Sequence, residues 1–175
     1  PEIAQAVTDL RAEGITEIAL SSVFSTVRSD MEQQAFDLIA EAFPDQSVTK
    51  STDIGRLGLL ERENAAIING ALRPLAAEVV DSFLALANEL DLQCPLYFTK
   101  NDGTLISAEQ VNRLPVLTFA CGPTNSMRGA AFLSGIKNGL VADVGGTTMD
   151  VGEVQNGFPR PAGTAVSVAD VQTNF

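Results

Sequence analysis

The sequence has no histidine and no tryptophan, and its 175 residues include only two cysteines and one tyrosine. Without histidine, these residues cannot form a Ser-His-Asp or Cys-His catalytic arrangement, nor a zinc site with histidine ligands. Cys94 and Cys121 are far apart, and each lies beside an apolar strand-like run. This arrangement favours two buried free thiols over a disulfide, and so a reducing compartment. We therefore expect a cytoplasmic protein.

Basic residues are also scarce, because 11 lysines and arginines stand against 22 aspartates and glutamates, a net charge of −11. An acidic surface argues against nucleic acid or an anionic membrane as a partner. No apolar run approaches the roughly 20 residues that cross a bilayer, and no signal-peptide pattern is present. The 45% of hydrophobic residues instead indicates a globular domain with a sizeable core. The chain starts at Pro1 directly in a helical pattern, and we expect it to be a piece of a longer protein.

Helical and strand-like segments alternate along the chain, which predicts an α/β fold. Two of the predicted helices begin with the Ser-x-x-Glu/Gln pattern of a capping box. The residues are Ser29 with Glu32, and Ser107 with Gln110. In such a box each side chain accepts a hydrogen bond from the other residue's backbone N–H.

Residues 57–90 have a helical pattern throughout, with Pro74 inside it. Proline removes one helical hydrogen bond, so we expect a kink or a break near residues 69–70. Further along, the apolar residues 116–119 are predicted to form a strand.

The most informative stretch is residues 140–154, in which an apolar run ends at Asp143 and an alternating strand resumes after Gly145, Gly146, Thr147 and Thr148. The pattern predicts strand, tight turn, strand. Glycine allows a positive φ and a close approach of backbone N–H groups to a ligand, so the turn suits a phosphate, with Asp143 facing its cation. A plain hairpin with a Gly-Gly turn fits the spacing equally well.

Asp150, beyond the turn, is a candidate second carboxylate, although on an alternating strand it could equally face solvent. Phosphoryl transfer needs backbone and hydroxyl donors around the phosphate, and a carboxylate that holds Mg²⁺. This stretch supplies each of these parts.

Three other motifs have plainer interpretations. Residues 101–103, Asn-Asp-Gly, follow a strand and are favoured as a simple turn. Glu61 and Arg62 are interpreted as the charged first turn of a helix. Residues 121–123, Cys-Gly-Pro, are interpreted as a loop, and Cys121 as an inert thiol because no activating base lies nearby in sequence.

Residues 143–150, Asp-Val-Gly-Gly-Thr-Thr-Met-Asp, resemble the second phosphate loop of the actin, sugar-kinase and heat-shock-chaperone ATPase superfamily. More narrowly, they resemble the Asp-x-Gly-Gly-Thr-x-x-Asp element of the hydantoinase/oxoprolinase family. Other stretches agree in order: Glu61-Arg62 with residues 69–75, Pro95-Leu96 with residues 101–105, and residues 114–116 with Gly122-Pro123 and Gly129-Ala130. The family's Ser-Asn-Gly-Gly turn is altered to Lys-Asn-Asp-Gly at residues 100–103, which puts a substrate role for it in doubt.

The resemblance implies an actin-like ATPase (ribonuclease H-like) fold, with a mixed sheet flanked by helices. Residues 1–139 would be the back half of the first lobe, and residues 140–175 the first hairpin of the second lobe. Family members carry an earlier Asp-x-Gly-Gly-Thr loop and a later adenosine-binding segment, and this sequence contains neither.

By the same resemblance we expect part of an ATP-dependent, Mg²⁺-requiring amidohydrolase that acts on a cyclic amide such as a hydantoin or oxoproline. A second hydantoinase-type subunit is a possible partner. Asp143 would be catalytic and would bind the metal with Asp150, while Gly145, Gly146, Thr147 and Thr148 would bind the nucleotide. The alternatives are a carboxylase or kinase subunit with the same loop, and a nucleotide-gated regulatory or assembly protein.

Overall fold

The computed structural model describes residues 2–55, 57–161, 166–168 and 170–173. These residues form a mixed α/β structure, as predicted. The α-helices are Glu2–Ala12 (α1), Asp30–Ala42 (α2), Leu59–Glu89 (α3), Ala108–Arg113 (α4) and Cys121–Ser134 (α5). The strands are Glu17–Leu20 (β1), Ser47–Lys50 (β2), Tyr97–Thr99 (β3), Leu105–Ser107 (β4), Gly139–Val144 (β5), Met149–Gln155 (β6), Phe158–Pro159 (β7), Val166–Val168 (β8) and Val171–Thr173 (β9). The described helices, α3 included, lack the sustained apolar length that a bilayer crossing needs.

The chain divides into two compact units: unit 1 is Pro1–Leu75 with Thr164–Phe175, and unit 2 is Ala76–Gly163. The contacts do not test the predicted division into lobes at residues 139 and 140, which stays a prediction.

Unit 1 is built on β1 and β2, which pair in parallel from Glu17 opposite Ser47 to Leu20 opposite Lys50. Parallel neighbours need a crossover, and α2 provides it. The core beneath this unit comprises Val7, Ile18 and Ile39, with Leu20, Phe43 and Val48 packed around them. The carboxyl ends of β1 and β2 therefore lie side by side.

The capping box predicted at Ser29 is wrong. Ser29 has helical dihedrals, φ −72° and ψ −11°, and its side chain makes no capping hydrogen bond. Glu32 instead points into unit 1, where it is 2% exposed and accepts hydrogen bonds from other segments. The second box is confirmed, because Ser107 and Gln110 exchange both expected hydrogen bonds.

The long helix has no break, because α3 runs without interruption through Pro74, and the kink expected as the alternative stays a prediction. Ala65, Ala66 and Asn69 are fully buried, and the Asn69 amide donates to Thr49 Oγ1 at 3.0 Å. Proline removes only one helical hydrogen bond. Burial of residues 65–69 holds α3 in unit 1 immediately before that gap.

In unit 2, β3 and β4 form one antiparallel hairpin, and β5, β6 and β7 form an antiparallel sheet in that order. One core cluster, Val80, Ile106 and Val111, underlies the first hairpin, and a second, Met127, Ala131 and Val154, underlies the sheet.

Three local expectations in unit 2 are wrong. The expected strand at 116–119 is a 3₁₀ helix, Pro115–Thr118, because Pro115 favours the turn and Thr118 Oγ1 donates to its carbonyl at 2.8 Å. Residues 121–123 are the first turn of α5 rather than a loop. Both cysteines are free, but neither is buried, because Cys94 is exposed and Cys121 is half-buried.

Candidate functional site

The hairpin of β5 and β6 carries the predicted phosphate loop. Its register places Asp143 opposite Asp150 and Val144 opposite Met149, so residues 145–148 close the turn. The Gly145 N–H donates to the Thr148 carbonyl oxygen at 2.9 Å. The strand, turn and strand predicted from the sequence are therefore present.

Asp143 and Asp150 project from the same face, because cross-strand partners in an antiparallel pair share a face. Both are exposed, and neither carboxylate forms a hydrogen bond or an ion pair with any part of the chain that the structure describes. Like charges directly opposite each other are destabilising. A divalent cation between the two carboxylates would relieve that repulsion.

The carboxylate pair fits Mg²⁺ better than a cation that needs a complete protein cage. No group of three or more cysteine, aspartate or glutamate side chains within the described residues could hold a metal. Magnesium is usually bound through one or two carboxylates, together with waters and substrate phosphates. Asp143 and Asp150 supply that limited set.

The backbone angles of the two loop glycines differ from the expectation of a positive φ. Neither Gly145 nor Gly146 has a positive φ, whereas Gly157 in the next turn does, at 82°. The turn itself therefore does not require glycine at these positions. A Cβ built on Gly146 would meet no atom within 4 Å, so the backbone there is open to a ligand.

The loop has unused hydrogen-bond donors, but the N–H of Gly145, which was expected among them, is not one. The Gly145 N–H is already used inside the turn. The N–H groups of Gly146 and Thr147 make no turn or loop hydrogen bond in the described structure, and the hydroxyls of Thr147 and Thr148 are exposed without a partner there. These four groups can donate to an anion.

Helix α5 packs against one face of the β5–β6 hairpin and holds it in place. Met127 and Ala131 pack on Val154, with Val141 beside them. A Cβ on Gly152 would meet the flexible end of the Met127 side chain, which would then have to move. The apolar side chains on the opposite face are more than half exposed; they are Leu140, Val144, Met149 and Val151, and Glu153 lies on that face opposite Leu140.

The turn at residues 101–103 is structural, as favoured from the sequence. Asp102 accepts hydrogen bonds from the Thr104 N–H and hydroxyl and pairs with Lys100 at 3.0 Å. Burial raises the pKa of Asp102, but these hydrogen bonds outweigh it and lower the pKa overall. These contacts account for Asp102 as the residue that holds the turn closed.

The sequence interpretation missed a polar cluster inside unit 1. Arg62 lies in the first turn of α3 as expected, but it is 2% exposed and donates to Ser51 Oγ at 2.9 Å and to the Ser22 carbonyl at 2.9 Å. Ser51 Oγ in turn donates to Glu32 Oε1 at 2.7 Å. The available signal was spacing, since Glu32 lies two helical turns before Ile39 on the buried stripe of α2.

Comparisons with known proteins identify relatives of this chain in sequence and in structure. The alpha subunit of caprolactamase from Pseudomonas jessenii is 24% identical over 153 residues, which is 85% of this chain and 22% of that protein. The structure of ATP-dependent caprolactamase from the same organism superimposes with a TM-score of 0.71 at 19% identity, over 98% of this chain and 30% of that one. Nucleotide-free acetone carboxylase superimposes with a TM-score of 0.65 at 21% identity, over 98% of this chain and 25% of that one.

These likenesses confirm the actin-like ATPase type of fold, and the chain spans less than a third of the length of each relative. The model of the Hydantoinase/oxoprolinase family matches residues 62–175, well over half of the chain. The chain therefore belongs to the hydantoinase/oxoprolinase family.

Proposed function

We propose that the chain is part of an ATP-dependent enzyme that hydrolyses a cyclic amide, and that the β5–β6 hairpin binds the phosphates of ATP. The observation that supports this proposal is the unneutralised pair Asp143 and Asp150 beside a loop with unused N–H and hydroxyl donors.

Each part of the hairpin has a role in this proposal. Asp143 holds Mg²⁺ directly or through its water, and Asp150 is the second carboxylate. The N–H groups of Gly146 and Thr147, with the hydroxyls of Thr147 and Thr148, bind the γ-phosphate. Gly145 keeps the turn closed through its hydrogen bond to Thr148 and leaves room for the phosphate. Mg²⁺ would supply positive charge where the transferring phosphoryl group gathers negative charge.

The reaction is a phosphoryl transfer followed by hydrolysis. The amide oxygen attacks the γ-phosphorus of ATP, and ADP leaves. Water then adds to the ring carbon and the C–N bond breaks, which leaves an acyl phosphate. A second water hydrolyses this acyl phosphate and releases inorganic phosphate with the ring-opened acid. The related caprolactamase and acetone carboxylase are both described as ATP-dependent, which supports ATP as the phosphoryl donor.

A second subunit is part of the proposal, because the caprolactamase relative is named as a subunit alpha. The reduced thiols Cys94 and Cys121 are consistent with a cytoplasmic location.

The test is release of phosphate from ATP by the purified protein with Mg²⁺, with and without a lactam or a hydantoin. Stimulation by the cyclic amide, with ring opening in equal molar amount, is the expected result. Stimulation by bicarbonate and a ketone would instead identify a carboxylase. Stimulation by a protein partner alone, with no small molecule transformed, would identify a nucleotide-gated regulator.

A further inference from the structure

Four apolar side chains share one side of the second half of α3 and remain 41–59% exposed; they are Val79, Phe83, Leu86 and Leu90. These four residues are named the α3 seam, and all of them belong to unit 2. Successive members are four, three and four residues apart, which is the spacing that keeps side chains on one side of a helix. Contiguous exposed apolar surface of this kind marks a place where a partner binds.

The core of unit 2 holds the seam in a fixed position. Val80 is 1% exposed and packs with Ile106 and Val111 on the neighbouring side of the helix. The Phe83 ring meets the Phe98 ring edge to face, with 5.8 Å between the ring centroids. Because α3 is anchored in this way, the seam needs no rearrangement before a partner binds, and a preorganised surface loses less entropy on binding.

The spacing of the seam indicates that its partner is a helix. Apolar residues that alternate three and four apart occupy the a and d positions of a coiled-coil heptad, and a facing helix packs its own apolar side chains between them. Helices that dock on other proteins present their anchors at the same spacing. An extended peptide would instead pair with a free sheet edge, and the seam lies on a helix.

The charges around the seam are all negative. Residues 74–99 contain four acids, Glu78, Asp81, Glu89 and Asp91, and no lysine or arginine. Glu89 stands at the heptad position that flanks the seam. Glu78, Asp81 and Glu89 are exposed, and their carboxylates form no ion pair with any residue that the structure describes. Lysine or arginine side chains of a docked helix would complement them.

A second copy of this chain does not meet that requirement. It would bring the same unpaired acids against the seam, on a chain whose net charge is −11. Like charges that face each other across an interface weaken it. The charge therefore favours a different protein, with basic residues beside its apolar ones.

We infer that the α3 seam is the docking site for an amphipathic helix of a second subunit, with apolar side chains packed on the seam and lysine or arginine beside Glu78 and Glu89. The existence of a second subunit rests on the proposed function. The place of the contact, the helical form of the partner and its basic character go beyond that proposal.

The test uses two labelled synthetic peptides of equal length in place of the unidentified subunit. Both carry leucine at the a and d positions of the heptad, and the remaining positions are lysine in one peptide and glutamate in the other. Binding to the purified full-length protein is measured by fluorescence anisotropy. The lysine peptide should bind, and the glutamate peptide should bind about tenfold more weakly or less.

Leu86→Asp combined with Leu90→Asp separates docking on the seam from a general attraction to an acidic protein. The double change adds negative charge, so a general attraction would tighten binding of the lysine peptide. Docking on the seam would instead weaken by about tenfold or more, because two apolar anchors are lost. The matched control is Met31→Asp combined with Leu38→Asp, which adds the same charge at two similarly exposed side chains of α2.

Glu89→Lys tests the charge separately, on an exposed side chain that has no described ion pair. It should weaken binding of the lysine peptide about threefold and strengthen binding of the glutamate peptide. Glu41→Lys, the same change on an exposed acid of α2, is its control and should leave both affinities unchanged. Circular dichroism confirms that each variant is folded.

Weaker binding of the lysine peptide to both seam variants, with binding kept in the two α2 controls, supports the inference. Absence of binding to the wild type, or binding that is unchanged or tighter in the folded Leu86, Leu90 double variant, overturns it. Binding to the 175-residue chain but not to the full-length protein also overturns it, because another part of the same protein would then cover the seam.

The proposed function and this inference can fail separately. Lactam-stimulated phosphate release without binding of the lysine peptide would overturn the inference and leave the proposed function standing. Binding on the seam without such release would support the docking site and contradict the proposed activity.

Discussion

Carboxylates occupy two contrasting environments in this chain. Glu32 is buried and accepts hydrogen bonds from backbone and side-chain donors, so the protein itself satisfies its charge. Asp143 and Asp150 are exposed and face each other without an ion pair to any described residue. The first environment is typical of a group that stabilises the fold, and the second of a group whose partner comes from outside the chain.

Replacing Asp143 by Asn tests the second environment. Asn keeps the shape and removes the charge that a metal needs, so ATP hydrolysis should fall on the order of 100-fold. Stability should not fall, because the change removes a repulsion with Asp150. The assay is phosphate release by the full-length protein at saturating Mg²⁺, with thermal unfolding measured in parallel.

Glu153→Gln is the control for that change, since Glu153 is an exposed acid on the same hairpin, paired only with Arg160 at 2.8 Å. Its activity should stay within about twofold of wild type, because an exposed ion pair contributes little. Activity of Asp143→Asn within about twofold of wild type would remove Asp143 from the proposed role.

Replacing Glu32 by Gln tests the first environment. The pKa of Glu32 is lowered from an ordinary value of 4.5, so its stabilising effect is present above pH 4.5 and is lost as the pH falls through the lower folded value. The wild type should therefore lose stability on acidification below pH 4.5 more steeply than Glu32→Gln. Near neutral pH the variant should be less stable by about 2 kcal/mol.

Urea unfolding at a series of pH values measures both effects. Glu41→Gln is the control, because Glu41 is an exposed acid of the same helix, and it should stay within about 0.5 kcal/mol of wild type. Equal pH slopes for Glu32→Gln and the wild type would show that Glu32 titrates at its ordinary value.

At the scale of elements, substitutions at two glycines of the β5–β6 hairpin should have opposite effects on stability and on ATP use. Gly152 lies against Met127 and Gly146 against open space. Gly152→Val should destabilise unit 2 by about 1–3 kcal/mol through overpacking.

Gly146→Ala should leave the free energy of unfolding within about 0.5 kcal/mol of the wild type. It should nevertheless lower the rate of ATP hydrolysis about tenfold, because the added methyl group crowds the phosphate.

Thermal unfolding and phosphate release separate these outcomes. If Gly146→Ala hydrolyses ATP as the wild type does, the open space over Gly146 is not where the phosphate binds.

The elements also show what the sequence could predict. The β5–β6 hairpin, the Ser107 capping box and the long α3 follow from local patterns, and the structure confirms them. The capping box at Ser29 failed because donors on Ser22, Ser51 and Thr52, distant in sequence, compete for Glu32. Local rules cannot rank a cap against contacts that exist only after folding.

The candidate site shows the same limit. Spacing alone predicted the strand, turn and strand after Asp143, and the register confirms them, whereas it left open whether Asp150 faces the site or solvent. It did not predict that the Gly145 N–H is used within the turn, nor that both glycines avoid positive φ. The geometry of a turn depends on its closing hydrogen bond, which composition does not specify.

At the scale of the whole molecule, nucleotide affinity depends on parts beyond this hairpin. The family resemblance implies a second Asp-x-Gly-Gly-Thr loop and an adenosine-binding segment, and the printed sequence contains neither. The chain covers 22% of the caprolactamase subunit it matches. A phosphate bound from one side loses most of its donors.

The 175-residue chain by itself should therefore bind ATP weakly, with a dissociation constant on the order of 1 mM or higher. Titration calorimetry with MgATP measures it. Micromolar affinity would mean that the single loop suffices and that the two-sided clamp is unnecessary.

The apolar outer face of the hairpin has a consequence for colloidal behaviour. Strand β5 has a hydrogen-bonded neighbour on one side only among the described strands, and Leu140 and Val144 on it are more than half exposed. An unpaired apolar edge promotes strand-to-strand association between copies, which the net charge of −11 opposes at low ionic strength. Light scattering by the purified chain should therefore rise with added salt, and Leu140→Lys should suppress that rise.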